Sequence, residues 1–399
     1  MTSSFFRTAL ILGLISAIGP FAIDMYLPAL PSIGASLAAS PGAVQMSLMG
    51  FFITLGLSQL FYGPLSDIIG RKLPIYFGLG IFILGSIGCA LAPTIEVLIA
   101  FRILEAIGAC AGMVIPRAIV RDLHTGAEAT RLMSMLMLVF SISPILAPLT
   151  GSLVIEIAGW RGIFWTVTGA ALIGLVLVTT QLNETRPRAA RRQSNWTSAL
   201  AGYRKLLADR SFMGLTFVGA FSISAFFVYL ANSSFVLINH YGLSPSAYSL
   251  FFALNAVSFF GAAQLTGWLT RRHGLVAVVK IAVAGFALAM SVAFVTVAIG
   301  IDRLDTIAVL LFIGYGFLGL IVPTTGVLSL ENHGDIAGTA SALGGAIQMI
   351  TGAVAMAISG LFANGTALPM VGGIAVCAII AFILAQPALR PTPIHTSTH

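Results

Sequence analysis

Gly63-Pro-Leu-Ser-Asp67-Ile-Ile-Gly70-Arg71-Lys72 has a counterpart 204 residues later, Gly267-Trp-Leu-Thr-Arg271-Arg-His-Gly274. The two share Gly, Leu, a hydroxyl residue and Gly at matched places. Each follows the second long apolar run in a series of six. A transmembrane helix needs about 20 mostly apolar residues. Counting outward from the two segments by that rule gives twelve spans, over 8–30, 44–63, 74–92, 95–117, 130–155, 161–182, 212–238, 245–270, 275–299, 305–329, 337–361 and 367–388. The predicted fold is therefore all-α and integral to the membrane, with twelve transmembrane helices in two pseudo-symmetric six-helix bundles. The first bundle covers 1–183, a polar linker 184–211, and the second bundle 212–399. Parallel six-helix repeats belong to a transporter architecture whose substrate site lies near the midplane between the halves.

Composition agrees. The chain of 399 residues is 58% hydrophobic, with only 8% charged residues, against about 25% in soluble proteins. The net charge of +7 is spread over loops without a long basic face, which argues against nucleic-acid binding. Cys89, Cys110 and Cys377 all lie in apolar segments and read as packing residues. Arg7 followed by an apolar run resembles a signal peptide, but the run continues past Pro20 to Leu30, so it reads as the first span. Seventeen of the twenty Lys and Arg, from Arg7 to Arg390, fall on one side of this topology. Only Arg161 and Arg303 fall on the other. The positive-inside rule then puts both termini and the linker in the cytoplasm. The linker, with its run Arg186-Pro-Arg-Ala-Ala-Arg-Arg192, reads as a solvated segment near anionic headgroups. The sequon Asn195-Trp-Thr197 is discounted because it falls on the cytoplasmic side.

Arg102, the remaining basic residue, lies inside span 4 in Leu98-Ile-Ala-Phe-Arg-Ile-Leu-Glu-Ala-Ile-Gly-Ala-Cys-Ala-Gly112, three residues from Glu105. Charges at membrane depth are costly and persist when paired or in a wet cavity. Asp24 lies about six residues from the outer end of span 1, and Arg102 about seven from that of span 4. At about 1.5 Å per residue both sit about 10 Å deep, so Asp24 is expected to reach Arg102. The alternatives are a static buried pair and, for Glu105, an i to i+3 bridge to Arg102. Arg102, Glu105, Ala106, Ala109 and Met113 share one helical face, and Ala109 and Met113 suit an adaptable pocket wall. Gly108-x-x-x-Gly112 reads as close packing. Pro144 and Pro148, with Gly151 after them, read as a hinge or a static kink in span 5. Asn255, Tyr315 and Gln348 lie near mid-depth in the second half, either lining the cavity or bonding to neighbouring helices. In the loop, Gly63 and Gly70 allow a tight turn. Asp67 is expected to face a helix N-terminus or to pair with Arg117 or Arg121. With Arg71 and Lys72 it forms either a candidate cytoplasmic gate or an ordinary positive-inside loop.

These segments resemble a known family. Gly63–Lys72 is similar to the loop-2/3 signature of the major facilitator superfamily. Leu98–Gly112 and Ser143-Pro-Ile-Leu-Ala-Pro-Leu-Thr-Gly151 resemble the helix-4 and helix-5 motifs of its drug–proton antiporters. Asp24-Met-Tyr-Leu-Pro-Ala-Leu-Pro31, Gly159-Trp-Arg-Gly-Ile-Phe164 and Ala337-Gly-Thr-Ala-Ser-Ala-Leu343 narrow the resemblance to the Bcr/CflA branch. It implies a bacterial inner-membrane exporter of small-molecule drugs, driven by the proton gradient, monomeric and needing no cofactor. Asp24, Arg102 and Glu105 would couple protons. Glu105 departs from the family pattern, which has Gln there. A sugar or metabolite exporter and a passive uniporter stay open as alternatives. The chain has no nucleophile–base pair, no metal-spaced cluster and no P-loop, so no enzymatic role is expected.

Overall fold

The computed structural model describes residues 3–193 and 195–389. Arg390 of the charge count and the side chain of Arg192 lie outside the described residues. Among the described residues the chain is helical throughout and has no strand. Helix α1 runs Ser3–Asp24, followed by a 3-10 turn Leu27–Ala29 and the short α2, Leu30–Ser36. The break falls where Pro28 and Pro31 restrict the residues before them. Then follow α3 (Pro41–Ile69), α4 (Lys72–Leu91), α5 (Ile95–Leu123) and α6 (Gly126–Gln181). The linker carries α7 (Arg188–Gln193) and α8 (Trp196–Ala208). The second half has α9 (Arg210–Ser234) with a π-helical end Phe235–His240, α10 (Pro245–His273), α11 (Leu275–Ala298), α12 (Leu304–Leu330), α13 (Ala337–Leu361) and α14 (Ala367–Ala388).

Local chemistry sets several starts. Ser40, Thr94 and Ser244 each accept a hydrogen bond from a backbone N–H three residues on, with Pro41 and Pro245 at first helical positions. α6 is one run of 56 residues, but Gly159 has φ +67 and ψ −179, which no helix contains. Its two limbs are spans five and six. Counted so, twelve helices among the described residues are long and apolar enough to cross a membrane.

The pairing of helices repeats. α3 packs on α5 and α4 on α5; at matched places α10 packs on α12 and α11 on α12. α1 lies on α6, as α9 lies on α13 and α14. The halves meet along α3 with α13 and α6 with α10. Small residues let backbones touch where hydrophobicity gives no drive between helices. Gly108 faces the backbone of Gly78 and Phe82 on α4, whereas Gly112 faces Ile15 of α1. The Gly-x-x-x-Gly pair thus serves two different interfaces.

Two sequence expectations need correction. Gly63–Ile69 and Gly267–His273 are helix, not loop. Only the last glycines turn, Gly70 at φ +101 and Gly274 at φ +82. The linker is also not simply solvated, because Trp-Thr-Ser-Ala-Leu-Ala-Gly-Tyr-Arg-Lys-Leu-Leu-Ala carries apolar residues at helical spacing. Leu206 is fully buried against Phe212, Ala340 and Leu343. The Tyr203 hydroxyl donates to the Leu60 carbonyl at 2.9 Å. The sequon residue Asn195 is an N-cap, accepting from the Ser198 N–H at 2.8 Å.

Candidate functional site

Arg102 and Glu105 are both completely buried on α5. Arg102 Nη1 donates to Glu105 Oε2 at 2.8 Å and to the Ala22 carbonyl at 3.2 Å. The rings of Tyr26 and Phe51 lie 4.5 and 4.3 Å from the guanidinium carbon, with Phe164 beyond at 5.9 Å. Nε and Nη2 have no acceptor among the described residues. Aromatic faces stand where acceptors would, a contact whose value grows in a dry setting.

Asp24 does not pair with Arg102. Its Oδ2 accepts from the Ser143 hydroxyl of α6 at 3.4 Å, and no cation forms an ion pair with it among the described residues. The reason is angular. The Met25 N–H still reaches the Phe21 carbonyl at 3.0 Å. The next carbonyl, Ala22, is an end group without a helical partner and turns to Arg102. The Asp24 side chain faces Ser143 of α6 instead. It is 6% exposed. Gly151 of α6 lies against the Met25 backbone, where a side chain would collide. Pro144 and Pro148 both lie inside α6, and the Pro148 carbonyl accepts from Ser249 of α10 at 2.8 Å. The Ser143–Gly151 segment therefore links Asp24 to the second half.

Ala109 is buried and Met113 half-buried on α5. Both pack on Gly19 of α1. In the second half Asn255 Nδ2 donates to the Tyr229 hydroxyl at 3.3 Å, and the Tyr229 and Tyr315 rings meet edge to face at 5.5 Å. Phe226 and Phe252 complete an aromatic box. Asn255 Oδ1 and the Tyr315 hydroxyl have no partner among the described residues. Gln348 is not with them; it lies on α13 beside Gly219 of α9. Tyr229 has no place in the sequence reading, and Ser143 enters it only as the first residue of the helix-5 motif. Tyr229 stands three residues after Phe226, the spacing that could have flagged it.

A cleft of about 850 Å³ separates α5 and the first limb of α6 from α10. Arg121, Thr130, Met133, Met137, Phe260 and Gln264 are among its walls. It runs toward the end of the molecule that carries the linker. The far end is closed between the halves. There Gln45 Nε2 donates to the Ala231 carbonyl at 3.0 Å, and Ser234 donates to the Leu27 carbonyl at 2.6 Å.

At the linker end, Arg71 is 4% exposed. Its Nε and Nη2 donate to Asp122 at 2.7 and 3.2 Å, and its Nη1 reaches Asp67 at 2.8 Å. Burial alone would lower the Arg71 guanidinium, but Asp122 and Asp67 outweigh it and hold it above its ordinary range. Asp67 also meets Arg186 at 3.5 Å, and not Arg117 or Arg121. Arg117 instead stacks over Phe140, 5.1 Å from the ring, and Arg121 lines the cleft. Glu184 accepts from the Arg71 and Lys72 N–H groups at 2.9 and 3.1 Å. Burial would raise its carboxyl, but these N–H groups, that of Arg186 and the charge of Arg191 hold it below the usual range. Gly70 must be glycine here, since a Cβ would lie 2.5 Å from Glu184 Oε2. Lys72 Nζ donates to the Thr179 carbonyl at 3.3 Å. A Cβ on Gly63 would meet open space, and the Gly63 carbonyl accepts from the Ser66 hydroxyl at 2.9 Å.

The profile described as Major Facilitator Superfamily matches residues 12–356. The chain is 34% identical over 377 residues to the uncharacterised MFS-type transporter YdgK of Bacillus subtilis, covering 93% of this chain and 92% of that one. It is 27% identical to a bicyclomycin resistance protein homolog of Haemophilus influenzae, covering 95% of each chain. It is 30% identical to a chloramphenicol resistance protein of Pseudomonas aeruginosa, covering 91% and 86%. In fold it is similar to a D-xylose-proton symporter, with a TM-score of 0.74, 17% identity, and 96% and 97% coverage. With its twelve helices, its repeated packing and these matches, the chain belongs to the major facilitator superfamily, in the Bcr/CflA drug-resistance branch.

Proposed function

We propose that this protein exports small drug-like or toxic molecules across a bacterial inner membrane in exchange for protons, as a monomer, with the linker and both termini in the cytoplasm. The observation that carries the reading is Asp24. It is a buried membrane-depth carboxylate with a hydroxyl partner and no paired cation. Such a group is a functional candidate by default. Arg102 is neutralised by Glu105, so the exchangeable proton falls to Asp24, while the Arg102–Glu105 pair positions the end of α1.

In this reading the closed far end and the open cleft are the inward-facing state. A drug enters from the linker end and reaches the site between the halves. Its arrival and the proton on Asp24 exclude each other, and the proton leaves to the cytoplasm. The halves then rock, opening the far end, where Asp24 takes a proton from outside as the drug departs. Ser143 on α6 tells the hinge region of Pro144 and Pro148 whether Asp24 carries its charge. The Arg71 cluster, with Asp67, Lys72 and Gly70, is the cytoplasmic gate. Asn255 and Tyr315, with their unpaired polar atoms, offer hydrogen bonds to a neutral polar substrate.

The test is efflux in everted vesicles, using chloramphenicol and bicyclomycin, with and without an uncoupler. Uncoupler-sensitive accumulation that Asp24→Asn abolishes at equal protein level supports exchange. Accumulation unaffected by the uncoupler, or intact in Asp24→Asn, refutes it.

A further inference from the structure

Helix α8 has two apolar faces, and the protein covers one. Gly202 and Leu206 face Thr339, Ala340 and Leu343 of α13. Trp196, Leu200 and Leu207 stand at i, i+4 and i+11, which is a single stripe on a helix. They are 44%, 70% and 55% exposed. The stripe does not face open water. Trp196 lies 6.2 Å, ring to ring, from Phe61 of α3, which is itself 58% exposed on the outer wall of the bundle. Tyr203 bonds to α3 at the neighbouring residue, Leu60. So the stripe continues the apolar belt of a transmembrane helix at that belt's linker-side edge. Arg204 borders the stripe, Lys205 stands on the opposite, water-facing side, and Arg210 follows the helix; the helix itself holds no Asp or Glu. An apolar face with flanking Lys and Arg and a Trp at the boundary is the pattern of a helix lying in a membrane interface.

We propose that α8 is an interfacial helix that binds anionic phospholipid of the linker-side leaflet. Trp196, Leu200 and Leu207 enter the acyl boundary, Arg204 meets the phosphates, and Lys205, on the water side, adds its charge to the attraction of the anionic surface. The same helix touches α3 of the first half through Tyr203 and α13 of the second through Gly202 and Leu206. Lipid held on α8 therefore braces both halves at the end where the cleft opens.

The test leaves Trp196 as the reporter by replacing Trp160, Trp165 and Trp268 with Phe. The protein is reconstituted in vesicles of phosphatidylcholine, alone or mixed with phosphatidylglycerol, one lipid at a time carrying bromine near the headgroup end of its chains. Trp196 emission is expected to be quenched by both lipids, and several-fold more by brominated phosphatidylglycerol at equal fraction. Arg204→Gln with Lys205→Gln should erase that preference, each basic residue being worth about five-fold at an anionic surface, and leave the general quenching. Absent quenching, as when a second protein copy covers the stripe, overturns the proposal. Equal quenching by the two lipids overturns its anionic selectivity. Hydrogen exchange over residues 196–208 of the unaltered chain is a second measurement. It should slow several-fold when phosphatidylglycerol is present, and no change overturns the proposal. The symmetric vesicles make the result independent of which side of the cell membrane α8 faces and of what the protein transports.

Discussion

Arg102 of α5 and Asp24 of α1 meet at the end of α1 without pairing: Arg102 donates to the Ala22 carbonyl, and Asp24 accepts from the Ser143 hydroxyl of α6. The cation and the lone carboxylate are close in depth yet occupy separate compartments. One is sealed by aromatic rings. The other is set against the helix that carries Pro144 and Pro148. The two should therefore fail in different ways when mutated.

Asp24→Asn should reduce uphill drug transport to the level of leak while drug binding persists. Ser143→Ala should weaken coupling less, since one neutral hydroxyl contact contributes about 1 kcal/mol, or roughly five-fold. Proton release on drug addition, followed in detergent with a pH dye, separates the cases: absent in Asp24→Asn, present in Ser143→Ala.

Removing one member of the Arg102–Glu105 pair leaves an uncompensated buried charge, a loss of about 3–5 kcal/mol. Glu105→Leu should lower the thermal unfolding midpoint sharply. Arg102→Met combined with Glu105→Leu should recover most of it. If the single and double variants destabilise additively, the pair is not coupled.

The Glu184 carboxyl is held below its ordinary value of 4.5. A lowered carboxylate stabilises the folded state above its unfolded value, and that contribution is lost as the pH falls through the folded one. The stability difference between the native chain and Glu184→Gln should thus be constant from about pH 6 to 8. It should shrink below 4.5. Gly70→Ala should be worse than Glu184→Gln at every pH, because it adds strain of about 1–3 kcal/mol at a positive φ. Unfolding monitored across pH in detergent checks both.

Gly261 lines the cleft, and a Cβ there would meet open space. Gly261→Ala should be neutral or stabilising by up to about 1 kcal/mol. Gly261→Trp should fold normally but cut transport, and more for a bulky drug than for a small one. Equal loss for both sizes would place the route elsewhere.

Much of this architecture is legible from residue order. The spans declare themselves by length and apolarity, and the Gly70 and Gly274 turns by their recurrence. Burial of Arg102 and Asp24 follows from depth alone. Their partners do not, because counting along a helix fixes height and leaves azimuth open. Azimuth here depends on where α1 stops, a matter of Pro28 and Pro31 further on. The i to i+3 bridge from Arg102 to Glu105 was readable, since it needs only local geometry. The nearer Asp67 partner, Arg71, is likewise local, four residues on. The second partner was not readable: it is Arg186, from a segment more than a hundred residues away, folded back by Glu184 onto the Gly70 turn. Docking of α8 likewise depends on Thr339 and Leu343, which no local pattern names.

The buried part of the far-end closure joins Gln45 to Ala231 and Ser234 to Leu27 through uncharged groups, amide or hydroxyl to carbonyl, with one bond from the Ser246 hydroxyl to the Glu156 carboxylate at its exposed rim. At the opposite end, guanidinium and carboxylate clasp the first half to the linker while the halves stand apart. Screening by salt weakens attraction between exposed ions and barely touches neutral bonds. On the proposed orientation, the neutral latch faces the compartment whose acidity and salinity the cell does not regulate. The ionic clasp faces the buffered interior. An exporter arranged this way would keep the same outer leak rate in brackish and fresh surroundings alike.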